Sequence, residues 1–530
     1  MYILKRVLLA IFIVLPIHMS AKETKGFDEL NNTAETQECI VLNRVDLDEN
    51  IIFDQESQNE VLSFYYGKCI SSLLLKELVN EVSTYYLDKA YITTKAFLKP
   101  QDINDGQVDI SVSKGFIEDI IDSDSNSSNW KIKSAFIFQK DELLNLRDLE
   151  TSLEMLNRVP STSAKFKIFP GNQIGSSIIK IDESSSFPLR FTLGASGEKT
   201  VEEYDPQANV ELAIDNLVNI NDILSLRYNS APLQEDYQSN DGLELNYSFS
   251  LGSYLWEYTW FNITYDREVL GDIDTYNSSG DTTGSKLRVS KVLLRDQSNK
   301  LNLAFSIHHK NTKNYFQNEL IEVSSYRTTL AQVNLSHTYM QEFGQIYTTY
   351  SYQMGTDWFG ARDDNYFSAQ ESQDEARLQF SKHTLNANII YYLGDRSYQY
   401  NPTINIQYSK DKLYDNNKLA IGSFYSIRGY NASYYGNSGW YIKNDFIKTL
   451  YLNLNRYFLQ TLSLFVGVDY GGVKCEEDNA GACGKLFGSA IGFRINGENF
   501  GSNLTWSRAM NTIEGIEKET LLRYDINIKF

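Results

Sequence analysis

Basic charge is scarce in this chain: 49 Lys and Arg stand against 68 Asp and Glu, a formal net charge of −19. Nucleic-acid binding needs a basic stripe that neutralises phosphates, and no such stripe is found, so nucleic acid is excluded as a partner. Proline is rare, 8 in 530 residues, and the charged fraction of 22% is that of a globular protein, which excludes wholesale disorder. Beyond the first residues there is no run of about 18 uninterrupted apolar residues, so no helix is expected to span a bilayer. Catalytic signatures are missing too. There is no Walker loop, no H-E-x-x-H and no G-x-S-x-G, so no catalytic residue, cofactor or metal site is expected, and the chain is not read as an enzyme. His308 and His309 lie in one strand pattern and face opposite sides, which excludes them as a metal pair. Gly488 and Gly492 fit G-x-x-x-G, but in a strand that spacing means backbone contact, not helix pairing.

What is present begins with an address. Lys5 and Arg6 precede an apolar run from Val7 to Ile17 and the small residues Ser20 and Ala21, the three-part pattern of a secretory signal peptide over residues 1–21. A secreted chain without helical spans is either soluble or a membrane β-barrel. The four cysteines fall as two sequence-local pairs, Cys39 with Cys69 and Cys475 with Cys483. In an oxidising compartment each pair can close a disulfide, the alternative being buried free thiols.

At 530 residues two or three folding units are expected. Residues 22–38 are polar and read as a linker. Residues 39–121 read as a first mixed α and β unit. Cys39–Asp46 is a strand, Leu74, Leu75, Leu78, Val79, Val82, Tyr85 and Tyr86 recur at helical spacing, and Thr93–Leu98 and Val108–Val112 are paired strands. The polar stretch Ser123–Asn129 marks a junction. A second unit, residues 122–186, carries a strand near Ala135–Phe138 and a helix with Leu146, Leu149, Leu153 and Leu156. It closes with strands Ala164–Phe169 and Ser177–Ile181.

From residue 187 to 530 the period changes to two. Leu301, Leu303, Phe305 and Ile307 alternate with polar or small residues. So do Leu462, Leu464, Val466, Val468 and Tyr470, and again Leu522, Tyr524, Ile526, Ile528 and Phe530. Apolar-out, polar-in segments of about ten residues are the signature of a transmembrane barrel. A secreted β-sandwich or β-helix also alternates, but an aromatic fraction of 13% favours the barrel, whose interfacial girdles consume Tyr and Trp. About 340 residues at roughly 20 per strand and connection give about 16 antiparallel strands, wide enough for an aqueous lumen.

Several blocks resemble the two-partner secretion transporters, the haemolysin secretion/activation family, whose periplasmic units are called POTRA domains. Tyr91-Ile92-Thr93-Thr94, Pro100-Gln101-Asp102-Ile103 and Gly106 are similar to the first POTRA motif, with Ala90 where the family has Gly. Leu144–Glu150 and Leu156–Ser161 resemble the second POTRA helix, and Leu294–Gln297 a barrel motif. Ser426-Ile427-Arg428-Gly429-Tyr430, continuing to Gly439-Trp440 and Asn444-Asp445, resembles the loop that folds back into the pore. Phe465–Gly471 resembles the strand that receives it. The closing alternation Tyr524–Phe530 is similar to the outer-membrane assembly signal.

The resemblance implies a transmembrane β-barrel preceded by two small α+β POTRA domains, in the outer membrane of a Gram-negative bacterium with the POTRA domains in the periplasm. It implies a translocon for one unfolded exoprotein, a large β-helical adhesin or cytolysin, which it exports, with or without activating it. Outer-membrane lipid, periplasmic chaperones and the barrel assembly machinery are the other implied partners. An assembly or insertase factor of the same superfamily is the alternative. Arg428, Gly429, Tyr430 and Asp469 are expected to form a gating latch, because the guanidinium fork matches a carboxylate in two parallel hydrogen bonds. Arg147, Asp148 and Leu149 are candidate client contacts. Without a nucleotide site, export is driven by the client itself. Only residues 22–38 separate the expected cleavage point from Cys39, too few for the plug helix and linker common in the family, so more of the occlusion falls on the Arg428 loop.

Overall fold

The computed structural model describes residues 39–530 apart from 49–52, 126–128, 138, 200–203, 232–238, 271–273, 365–375, 431–432, 477–482 and 512–519. The expected signal peptide and linker therefore lie outside the described residues. The chain divides into two compact units, residues up to 79 with 98–110, and residues 80–97 with 111–530.

The N-terminal sheet has the order β1 (Arg44–Asp48), β3 (Gln107–Ser113), β2 (Lys95–Leu98), with helices α1 (Gln55–Leu62) and α2 (Ser72–Asp88) in the connection between β1 and β2. Asp54 starts α1 by accepting the Ser57 N–H at 2.8 Å. On α2 the residues Leu74, Leu78, Val82 and Tyr86 are buried at a spacing of four, one face of the helix. The helix stops where Ala90 takes φ +69°, the left-handed position glycine prefers, while the Tyr91 N–H returns to the Tyr86 carbonyl at 2.9 Å. Cys39 is bonded to Cys69, Cα atoms 5.3 Å apart. The expected strand Cys39–Asp46 is shorter than its pattern. Before Arg44 the chain makes no ladder with a strand of this sheet but bonds to the segment around Cys69, with a bridge from Val41 to Cys69 and the Leu42 N–H on the Lys68 carbonyl at 2.9 Å, and the Asn43 N–H bonds the Gly106 carbonyl. Gly106 sits at φ +75°, and a β-carbon there would lie 2.4 Å from the Asn43 side chain.

The second small sheet runs β4 (Phe116–Asp122), β6 (Ser176–Ser185), β5 (Thr162–Pro170), the first pair parallel and the second antiparallel. Helices α3 (Trp130–Phe136) and α4 (Leu146–Asn157) cover it. Two sequence readings are corrected here. Residues 116–121 pair with β6, so they belong to this sheet and not to the end of the first unit. The strand expected near Ala135–Phe138 is a helix, because Asn129 accepts the Ile132 N–H and the buried Ile132, Ala135 and Phe136 then share one helical face. Phe138 itself lies outside the described residues.

The barrel begins with β7 (Leu189–Lys199), β8 (Tyr204–Asp215), β9 (Ile223–Ser230) and β10 (Ser239–Leu251). β11 (Tyr254–Leu270), β12 (Thr275–Arg295), β13 (Asn299–Phe316) and the two-residue β14 (Glu319–Leu320) follow. Next come β15 (Tyr326–Gln341), β16 (Gly344–Thr356), β17 (Ser381–Leu393) and β18 (Tyr398–Ser409). The short strands β19 (Leu419–Ile421) and β20 (Tyr434–Gly436) pair with each other in a long connection. β21 (Gly439–Asn455), β22 (Leu459–Val473), β23 (Gly484–Asn496), β24 (Phe500–Ala509) and β25 (Thr520–Lys529) complete the ring.

Sixteen long antiparallel strands close on themselves. The seam joins β25 to β7 from Leu522↔Lys199 to Lys529↔Thr192, and the Phe530 N–H reaches the Phe191 carbonyl at 2.8 Å. Alternation sets what faces out. On β22, Leu464, Val466, Val468 and Tyr470 are exposed, and the intervening Ser463, Phe465 and Asp469 are buried. On β13, Leu303 and Phe305 are exposed while Ala304 and Ser306 are covered. Outward apolar residues on every second position of a closed barrel form a lipid-facing band. Among the described residues no helix is long and apolar enough to cross a membrane.

Candidate functional site

The connection between β18 and β21 turns back into the barrel and ends on the side chain of Arg428. Ser426 shapes the approach, its hydroxyl accepting the N–H groups of Gly422 and Ser423 at 3.1 and 3.2 Å. Arg428 is the largest fully buried side chain of the described residues, 1% exposed. Its Nε donates to Asp469 Oδ2 at 2.7 Å and its Nη2 to Asp469 Oδ1 at 2.8 Å, the two parallel bonds of a bidentate pair. The Arg428 backbone N–H adds a third bond to Asp469 Oδ2 at 3.1 Å.

A second carboxylate completes the clasp. Asp445, on β21, lies 2.8 Å from Arg428 Nη1 and accepts a bond from Arg494 of β23 at 2.9 Å. Two cations and two carboxylates therefore alternate, which is what lets a guanidinium and a fully buried Asp469 persist away from water. The strands leave room for the fork by deleting side chains. A β-carbon on Gly467 would stand 2.2 Å from Arg428 Nη2, and one on Gly488 would stand 2.0 Å from the Arg428 carbonyl oxygen. Gly429 carries the chain onward at φ +95°. Tyr430 then places its hydroxyl 2.7 Å from the Phe487 carbonyl and 2.6 Å from Asn511 Oδ1.

Around this centre Ile427, Tyr430, Leu419 and Ile421 pack with Val473 and Leu486 of the wall. Lys443 donates to the Phe424 carbonyl at 2.6 Å, and Arg523 of β25 donates to the Tyr425 hydroxyl at 3.1 Å. The loop is thus held by β21, β22, β23 and β25. The four residues expected to meet do so in one place. Sequence reasoning missed Asp445 as a partner, although it stands in the quoted Asn444-Asp445 motif, and it missed Arg494, for which no local signal exists. Cys475 and Cys483 are bonded beyond β22, Cα atoms 5.1 Å apart.

The second POTRA-like helix has another location than the one expected. Leu149 is fully buried in the core of its own unit and is unavailable to a client. Arg147 is engaged by Glu150 one turn on, at 2.8 and 2.9 Å, and Asp148 shares a groove with Lys291 and Arg295 of the barrel. The helix α4 docks on the barrel rim. Glu154 pairs with both Arg295 and Lys300, at the facing ends of β12 and β13, and Glu150 adds a contact to Arg295 at 3.4 Å. Burial pushes the Glu154 carboxyl up, yet Lys300 and Arg295 pull it further down, leaving it below the usual range. Arg158 bonds the Asn221 carbonyl and Ser248 Oγ, and buried Asp215 accepts the Ser161 N–H at 2.9 Å. The residues carrying the dock are Glu150, Glu154, Arg158, Arg295 and Lys300. Glu150, Arg158 and Arg295 stand inside the quoted blocks, whereas Glu154 and Lys300 lie outside them.

Comparison with known proteins follows the same lines. The family described as haemolysin secretion/activation protein ShlB/FhaC/HecB matches residues 175–495, and two POTRA families match residues 40–115 and 116–170. The outer membrane transporter CdiB of Dickeya dadantii is 26% identical over 494 residues, covering 90% of this chain and 86% of the relative. The hemolysin transporter protein ShlB of Serratia marcescens is 29% identical over 422 residues, covering 78% and 72%. Among solved structures, CdiB from Escherichia coli superposes with a TM-score of 0.84 at 21% identity over 99% of this chain and 96% of that one, a shared fold. A match over residues 175–495, more than half its length and most of the barrel, places this chain in the haemolysin secretion/activation protein family.

Proposed function

We propose that this chain is the outer-membrane translocon of a two-partner secretion system, taking a cognate unfolded exoprotein from the periplasm and exporting it through its barrel. The observation that carries this reading is the inward loop clasped at Arg428. A sixteen-strand barrel leaks unless its lumen is occluded, and a loop held by one compact ionic contact is an occlusion that can be released. Its relatives are named as outer-membrane, hemolysin and heme/hemopexin transporters. That supports a secreted protein as client, here a large β-helical adhesin or cytolysin.

Edge strands support the capture step. β1 and β2 flank the first sheet, β4 and β5 the second, and an extended client can add to such an edge through main-chain hydrogen bonds with little sequence demand. The barrel sits in outer-membrane lipid with both small units in the periplasm, reached with the help of chaperones and the barrel assembly machinery. Export needs no enzymatic step in this reading, because a client that folds outside the cell draws itself through. The alternative, an assembly or insertase factor, is set aside because the matching family is that of secretion/activation proteins.

The test is deletion of the gene in its own host, followed by comparison of proteins in the medium. One large secreted protein should disappear and return on complementation. A deletion lacking residues 39–182 should still insert as a barrel yet restore nothing. An unchanged secretome in the full deletion refutes the translocon reading.

A further inference from the structure

Charged side chains on the lumen face of the barrel are mostly matched. Arg288 of β12 pairs with Glu257, Arg494 pairs with Asp445, and the Lys382 ammonium donates to the Asn417 carbonyl at 3.0 Å. Two lysines depart from this. Among the described residues, the side chains of Lys286 of β12 and Lys310 of β13 make neither an ion pair nor a hydrogen bond.

Their orientation follows from strand parity. Leu287 on β12 and Leu303 and Phe305 on β13 are exposed on the lipid side, which puts Lys286, His308 and Lys310 on the other face. Register places them together. Lys286 stands directly opposite His308, and Lys310 stands opposite Gly284, one step along the same face. Lys286 and Lys310 are therefore diagonal neighbours, about 7–8 Å apart at the backbone. Gly284 gives its space to the ring of Phe261, which stands opposite it on β11.

Counting the long strands from β7, β13 is the seventh and β22, which bears the Asp469 clasp, is the thirteenth of sixteen. The two lysines thus lie nearly across the ring from the occluding loop, on the wall a polypeptide must pass when that loop moves.

We propose that Lys286 and Lys310, on either side of His308, form a cationic strip on the lumen wall that receives the carboxylates of the polypeptide in transit. This rests on the translocon reading above and adds a chemical preference to it: acidic stretches of the client pause on this wall, opposite the loop. Binding through two partly hydrated ammonium groups is weak, as suits a surface that must also let go.

The full-length protein in planar bilayers, with poly-L-glutamate and poly-L-lysine added in turn to the periplasmic side, tests the strip. Poly-L-glutamate should block the open-channel current and poly-L-lysine should not. The Lys286→Gln/Lys310→Gln double variant should need about tenfold more poly-L-glutamate for the same block, the scale of two such contacts. Lys313→Gln, on the outward-facing parity of β13, should behave as wild type. Both variants should keep heat-modifiable mobility, since the ladder is made of main-chain bonds. Equal block in the double variant, equal block by poly-L-lysine, or no block of the wild type would each overturn the strip. None of these outcomes touches the translocon reading, which stands or falls on secretion by the intact strain.

Discussion

Gly467 and Arg428 occupy one space: a β-carbon on the glycine would stand 2.2 Å from Nη2 of the guanidinium and 2.8 Å from its Cζ. The fork reaches Asp469 because the neighbouring position on β22 is empty. Gly467→Ala should therefore act at a distance from its own strand, pushing Arg428 out of its bidentate geometry. The expected result is loss of secretion with a folded, heat-modifiable barrel. Normal secretion by this variant would show that the fork tolerates displacement and has no gating role.

Arg428→Ala and Asp469→Ala should each reduce secretion sharply and make channel recordings noisier. Removing the arginine leaves two buried carboxylates, of which Asp445 keeps Arg494 and Asp469 keeps only main-chain donors. Breaking one partner of a buried pair costs about 3–5 kcal/mol, felt here as release of the loop, because the β21–β22–β23 ladder has its own main-chain bonds. The double variant should be no worse than the worse single, since both remove one contact. Strictly additive losses in the cycle refute the latch.

The dock between α4 and the rim predicts a charge swap. Glu154→Lys sets three cations together with Arg295 and Lys300 and should lower secretion without altering membrane insertion. Adding Lys300→Glu restores one opposite pair and should recover much of the loss. No recovery would mean that the dock is held by Arg158 and Asp215 alone.

The same contact should respond to pH. Glu154 has a folded-state carboxyl below its ordinary value, so its contribution is present above the usual carboxylate range, about 4.3. It is lost as pH falls through the lowered folded value. Hydrogen-exchange protection of Leu146–Asn157 should accordingly drop on acidification below that range, and Glu154→Gln should flatten the dependence. A drop of the same size in the Gln variant assigns the effect elsewhere.

Mass spectrometry of non-reduced peptides should find Cys39 linked to Cys69 and Cys475 linked to Cys483. The first closes a loop of sequence separation 30. Chain-entropy estimates run from about 3 kcal/mol for fifteen residues to about 4.7 for a hundred, so Cys69→Ser should destabilise the first unit by an amount between them. Four free thiols, or an unchanged melting profile, overturn this.

The barrel was legible because its physics is periodic. A strand such as β22 shows lipid to every second side chain, and the sequence carries that rhythm openly. The Arg428–Asp469 meeting was legible only through a resemblance of blocks, since no periodicity joins residues 41 positions apart. The partners Asp445 and Arg494 stayed hidden because register, not spacing, brings them together. Ala135–Phe136 looked like a strand for want of weight given to Asn129, a cap whose one hydrogen bond decides the local geometry. Leu149 was placed toward a client because an amphipathic helix shows which residues are apolar but not which neighbour they meet.

The seam between β7 and β25 has a consequence for the order of events. The residues that close the ring, Thr192 and Lys529, lie at opposite ends of the barrel sequence, while every other pairing in it joins near neighbours along the chain. Hairpins can form as soon as their two strands exist, but the last ring bond waits for the final residues to arrive. Until then two strand edges stand open to any other chain, and bringing the ends together carries the loop-closure cost of the whole barrel in one step. A protein that lets an unfolded client through must therefore first be, for a time, an unfinished sheet that needs protection from such clients itself.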